Sequence, residues 1–176
     1  MTTIGNKETF GFRFELDDDS GGEWMFGRCC YLIDGKEVGE YELGTSLRDV
    51  FLQMTQIVGD CGRREGDRLC NLSDKDVHEV LRYLIYEDCH ANVLHIAGDI
   101  DMPARFDVRI PVDVFDACSV FLLDCPGDSR LVFRRSEDQD IESVRIRRGE
   151  FDDVIGTAYQ RLEEIYESSA INNEHA

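Results

Sequence analysis

The sequence predicts an α+β fold, a mainly antiparallel sheet in the order βββ-αα-ββββ-α with helices packed on it. Three observations carry this reading. Gly44–Val58 sets Leu47, Val50, Phe51, Met54, Ile57 and Val58 at i, i+3, i+4, i+7, i+10 and i+11, one face of an α-helix. Lys7–Asp17 alternates Phe10, Phe12, Phe14 and Leu16 with Gly11, Arg13 and Glu15, the pattern of a strand with one buried face. The strand-like runs are joined by connections of hairpin length, as antiparallel neighbours require.

In chain order, the first strand gives way to a polar loop, Asp17-Asp18-Asp19-Ser20-Gly21-Gly22. Glu23–Ile33 is apolar on both sides, with Trp24, Phe26, Cys30 and Leu32 opposite Met25, Cys29, Tyr31 and Ile33, which predicts a central strand with Trp24 in the core. Asp34-Gly35 signals a tight hairpin, returning through Glu37–Leu43. The opening helix follows, capped by Thr45 or Ser46, with Asp49 in the positive field of its first turn. Gly59–Asn71 reads as a loop rich in glycine and charge. A second helix begins near Ser73, with Val77, Val80, Leu81, Leu84 and Ile85 as its stripe.

Glu87–Ala104 is irregular, with a short strand around Val93–Ile96. Phe106, Val108 and Ile110 alternate with Asp107 and Arg109, a strand ended by Pro111. Cys118–Asp124 is apolar on both faces and reads as central. Cys125-Pro126-Gly127-Asp128 forms a turn, and Arg130–Arg135 and Ile141–Arg147 complete a meander around the acidic loop Ser136–Asp140. The last helix runs from Glu150 to Tyr166 on Phe151, Val154, Ile155, Ala158, Tyr159, Leu162, Ile165 and Tyr166. Residues 1–168 thus form one domain, and 169–176 a frayed tail.

The 176 residues are 42% hydrophobic and 32% charged, enough for a core under a heavily charged exterior. Nineteen Lys and Arg against thirty-seven Asp and Glu leave a net charge of −18. Such a surface repels nucleic acid and anionic lipid and attracts basic partners, though it also serves solubility. No basic segment leading into an apolar run begins the chain, and no run approaches a membrane span. Seven cysteines, an odd number, read as reduced, mostly buried cytosolic thiols.

Metal chemistry finds no paired C-x₂-C: Cys61 and Cys70 are widely spaced, Cys89-His90 are adjacent, and Cys29 and Cys30 point to opposite faces of a strand. For covalent catalysis His90 and His95 are the histidines to consider, since His78 lies beside a helical stripe and His175 in the tail. No nucleophile elbow, phosphate loop or zincin motif accompanies them. Arg63, Arg64 and Arg68 form a basic island that reads as pairing with Glu65, Asp67 and the general negative field, with binding of a phosphate or a partner carboxylate as the functional alternative. Three acidic clusters remain: Asp17, Asp18 and Asp19; Glu137, Asp138 and Asp140; and Asp152 and Asp153. Each is a solvated loop or helix start taken singly, and together they are candidates for contact with a cationic partner.

Five stretches taken in order, Gly21–Phe51, Gly59–Ser73, Ala104–Asp124, Arg130–Arg134 and Gly149–Leu162, resemble the immunity protein 42 family of bacterial polymorphic toxin systems. The GTSLRD helix start, the IPVDVFD segment and the GEFDDVI helix start are the most specific pieces, while Cys118 stands where an aromatic is expected. The resemblance implies a small cytoplasmic bacterial protein that binds and blocks a cognate toxin domain, without catalytic residues or cofactor. It ties no position to toxin contact. The charge adds the expectation of a basic toxin, such as a nuclease, with no nucleic acid or membrane as partner. An acidic regulatory or scaffold module and a small hydrolase using His90 or His95 are the alternatives.

Overall fold

The computed structural model describes residues 1–86 and 100–173. The first part of the chain forms a five-stranded antiparallel sheet: β1 (Thr2–Gly5), β2 (Phe10–Leu16), β3 (Phe26–Ile33) and β4 (Lys36–Val38) in that order, with the short β5 (Thr45–Ser46) also paired to β3. The second part forms a separate meander, β6 (Ser119–Asp124), β7 (Asp128–Arg134) and β8 (Glu142–Arg147). The fold is therefore α+β, with its antiparallel strands divided between two sheets. Strand β1, which the sequence pattern did not signal, runs along β2 from Thr2↔Phe14 to Gly5↔Gly11.

Among the described residues there are four α-helices: α1 (Leu47–Gly59), α2 (Asp67–Cys70), α3 (Asp74–Tyr86) and α4 (Glu150–Asn173). Ser46 caps α1, its hydroxyl accepting from the Asp49 amide at 3.2 Å, and Ser73 caps α3 through the Asp76 amide in the same way. The stripe Leu47, Val50, Phe51, Met54 and Ile57 is buried, and α1 packs on α4 and β3. Helix α4 passes the predicted end at Tyr166 and continues through the expected tail to Asn173. Helix α2 adds one turn to the stretch expected to be all loop.

The main core gathers the inward residues of β2 and β3 (Phe10, Phe12, Phe14, Cys29, Tyr31, Ile33), the stripes of α1 and α4, and one face of the meander (Val120, Leu122, Leu131, Phe133). The other meander face, Phe121, Leu123 and Val132, meets Leu69, Val77, Val80, Leu81 and Phe106 in a second core. Both faces of β6 and β7 are thus covered, as their sequence requires. Strand β6 nevertheless lies at the edge of its ladder rather than in the centre. Its free side is met by isolated bridges from Glu65 and Asp107, with Asp124 N–H donating to Arg64 O and Val108 N–H to Val120 O.

Local chemistry explains the agreements and the corrections. Asp34 and Gly35 both take left-handed φ, 52° and 71°, which gives the expected two-residue hairpin between β3 and β4. Residues 106–110 are not a strand. Pro103–Phe106 is a 3-10 turn, and the Asp107 carboxylate takes the Arg109 amide at 3.0 Å, diverting a donor from any ladder, although Phe106, Val108 and Ile110 are buried as expected.

The reading of all cysteines as free thiols is also corrected: Cys70 at the end of α2 is bonded to Cys125 at the end of β6, with Cα atoms 5.8 Å apart. The packing of α2 against β6 brings together residues 55 apart, which spacing in sequence cannot show. Cys29, Cys30, Cys61 and Cys118 are free, and burial raises all four thiols, Cys30 and Cys61 to about 11 and Cys118 to about 12. The strand expected at Val93–Ile96, Cys89, His90, His95 and His175 lie outside the described residues.

Candidate functional site

A groove of about 670 Å³ lies where the start of β3, β5 and the first turns of α1 meet residues 111–113. Its lining includes Asp17, Asp49 and Asp113, and no cationic side chain among the described residues. Asp113 is held in place by the Thr45 hydroxyl and the Val114 amide, both donating to Oδ1 at 3.1 Å, which leaves Oδ2 open. Asp49 receives the Arg48 guanidinium on its Oδ1 at 3.1 Å. The Asp17 carboxylate is exposed and has no partner among the described residues.

The groove has an apolar rim. Phe26 and Leu43 belong to its lining and are 45% and 56% exposed. The Trp24 ring stacks on Phe26, with centroids 6.4 Å apart and planes 6° from parallel, and the Arg48 guanidinium lies over the Trp24 ring at 3.7 Å from its centroid. Trp24 is 45% exposed, which overturns the expectation of a core tryptophan. Gly22–Trp24 is a 3-10 turn, and Met25 takes a left-handed φ of 54°. Met25 joins the main core with Cys29, Tyr31 and Ile33, while the opposite face of β3 is covered only at a small cluster of Cys30, Leu32 and Tyr41 that does not include Trp24 or Phe26. Gly21 makes room for the Phe26 ring, since a Cβ there would lie 2.7 Å from it.

The candidate acidic residues separate onto different surfaces. Asp17 lines the groove, and Asp18 and Asp19 extend the same exposed loop. Glu137, Asp138 and Asp140 are exposed on the loop between β7 and β8, where the Ser136 hydroxyl holds the Asp138 carboxyl below its usual range. Glu137 also lines a second cavity, of about 430 Å³, whose other charged residues are Arg82, Arg109, Arg134 and Asp116. Asp153 pairs with Arg147 in solvent at 2.6 Å.

Asp152 faces inward. It accepts from Arg64 Nη1 at 2.8 Å and from the Gly62 amide at 2.9 Å. Arg64, only 1% exposed, also donates to the carbonyls of Ile57 and Arg105, so it ties the end of α1 to the start of α4. Arg64 of the basic island thus pairs with an acidic group distant in sequence rather than with its neighbours Glu65 and Asp67. Glu65 instead pairs with Arg148. Neither Asp49, which reads from sequence as a helix-start charge, nor Asp113, which reads as part of a motif, was a candidate. Alternation sets Trp24 and Phe26 opposite Met25, but nothing in a linear pattern signals that their face is left uncovered beside these carboxylates.

No group of three or more potential metal ligands occurs among the described residues, and no described helix is long and apolar enough to cross a membrane. The groove sets carboxylates beside exposed rings, a combination that could meet cationic and apolar groups together.

The chain belongs to a family of immunity proteins: residues 1–161 match the family described as Immunity protein 42. Among solved structures, the crystal structure of CdiI from Burkholderia dolosa AUO158 is similar in fold, with a TM-score of 0.71 at 17% identity, covering 91% of this chain and 99% of that one. No curated protein matches.

Proposed function

We propose that the chain neutralises a cognate polymorphic-toxin domain by binding it one to one and occluding its active site or an adjacent surface. The observation that carries this is the family match over residues 1–161. The net charge of −18 favours a basic toxin, and a nuclease fits, because a surface that grips phosphates also grips carboxylates. In this reading the protein is not an enzyme and needs no cofactor. It works in the bacterial cytoplasm and binds neither nucleic acid nor membrane. A reducing cytoplasm would hold Cys70 and Cys125 as thiols, so the bridge forms there only if the pair resists the cellular reductants.

The test is co-expression with the toxin domain encoded beside it, scored by survival and co-purification. Rescue with a 1:1 complex whose association slows as salt rises supports the reading. A chain that neither rescues nor co-purifies overturns it, and association indifferent to salt removes the electrostatic part. Rescue unchanged in His90→Ala and His95→Ala excludes the hydrolase alternative.

A further inference from the structure

The immunity reading leaves open where the toxin sits. We infer that the groove at β3, β5 and α1 is the toxin-docking surface, that a lysine or arginine side chain of the toxin enters it among Asp17, Asp49 and Asp113, and that an apolar patch around that side chain rests on Trp24, Phe26 and Leu43. The inference rests on the proposed function and specifies its contact site.

The charge selects a cation. Three carboxylates line the groove without a cationic side chain among its described lining residues, and their acceptors are only partly used from within. Internal hydrogen bonds hold Asp113, so part of the site is already organised before a partner arrives. The same charge argues against a second copy of this chain as occupant. Two molecules at −18 repel, and a self-contact here would place like carboxylates together.

The apolar rim is a second, independent observation. Trp24, Phe26, Leu43 and Leu52 are four of the seven large apolar side chains exposed among the described residues. The first three gather at the groove, and Leu52 lies one turn along α1 from Arg48, which stacks on Trp24. Aromatic side chains beside charge are what anchor protein–protein contacts.

The experiment compares two double charge reversals of equal magnitude: Asp17→Lys with Asp113→Lys in the groove, and Asp138→Lys with Asp140→Lys on the β7–β8 loop. Binding to the toxin domain encoded beside the gene is measured by calorimetry at physiological salt, after each variant's unfolding midpoint is checked. A third variant, Trp24→Ser with Leu43→Ser, removes the rim without changing charge. The groove and rim variants are expected to weaken binding at least about 30-fold, and the loop variant less than about threefold. Trp24 is the single tryptophan of the chain, so the emission difference between the wild type and Trp24→Phe reports the groove without relying on a disruptive variant. Complex formation should shift that emission to the blue and shield it from acrylamide. If wild type binds but the groove variant loses no more than the loop variant, or Trp24 stays as accessible as in the free protein, the docking surface lies elsewhere and the immunity reading stands. A wild-type chain that does not bind the toxin overturns both.

Discussion

His78 shows how a single residue acquires an unusual chemistry from elements distant in sequence. It comes from α3, its Nε2 lies 2.7 Å from the Ser119 hydroxyl of β6, and the Phe121 ring meets it edge to face with centroids 5.6 Å apart. Burial, with Arg134 and Arg82 nearby, depresses its pKa from 6.5 to about 4. The folded protein therefore holds it neutral while the unfolded chain takes up a proton below pH 6.5. The sign follows from that difference: the unfolded state binds more protons between pH 6.5 and 4, so stability falls as pH falls through that window and levels off below it. The cost reaches roughly 3 kcal/mol. Urea titrations of wild type and His78→Gln at pH 7 and pH 4.5 should show the extra acid loss in the wild type. Equal losses would place the acid sensitivity in other groups.

At the level of elements, the stripes of α1 and α4 are the places where sequence periodicity and packing coincide. Leu47 is fully buried and Val154 nearly so, both in the main core. Leu47→Ala should cost about 2–4 kcal/mol and Val154→Ala less, read by urea unfolding, and costs below about 0.5 kcal/mol would mean these faces are not core. The caps Ser46 and Ser73, the Asp34-Gly35 hairpin and the β6–β8 meander were legible for the same reason: each is fixed by neighbours within a few residues. What was not legible depends on distant partners and on which faces they leave uncovered. Asp152 looks like a helix-start charge until Arg64 is found beneath it. Trp24 looks like core until its face of β3 is found without cover there. Asp17 alone carried the groove into the sequence reading, because an acidic loop is visible in a string and an acidic concavity is not. The Cys70–Cys125 bridge belongs to the same class. Closing 55 residues of chain, it is worth about 4 kcal/mol in the chain-entropy account. Reductant should lower the unfolding midpoint of the oxidised wild type and leave Cys70→Ala with Cys125→Ala unaffected.

The molecule as a whole carries far more negative charge than its arginines and lysines compensate. Many of those cations are already engaged, as in Arg64–Asp152, Arg130–Asp74 and Arg145–Asp128. The excess acts as self-repulsion in the folded state. Raising salt from about 10 mM to about 150 mM shortens the screening length from roughly 30 to 8 Å. The thermal midpoint should therefore rise over that range, measured by calorimetry of the free protein. A fall would show that surface ion pairs outweigh the repulsion.

The meander has a core on each of its faces, and this divides the molecule by the ease with which it opens. Strand β7 is paired on both edges, with Leu131 and Phe133 in one core and Val132 in the other. Its amides bond to β6 and β8 between two buried layers, so those facing β6 should be among the slowest of the described residues to exchange, while those facing the exposed edge strand β8 are released when β8 frays. The turn bearing Trp24 has no buried residue of its own and is joined to the core through Met25. Small local openings of that turn leave the global fold, held by the doubly walled strand, intact.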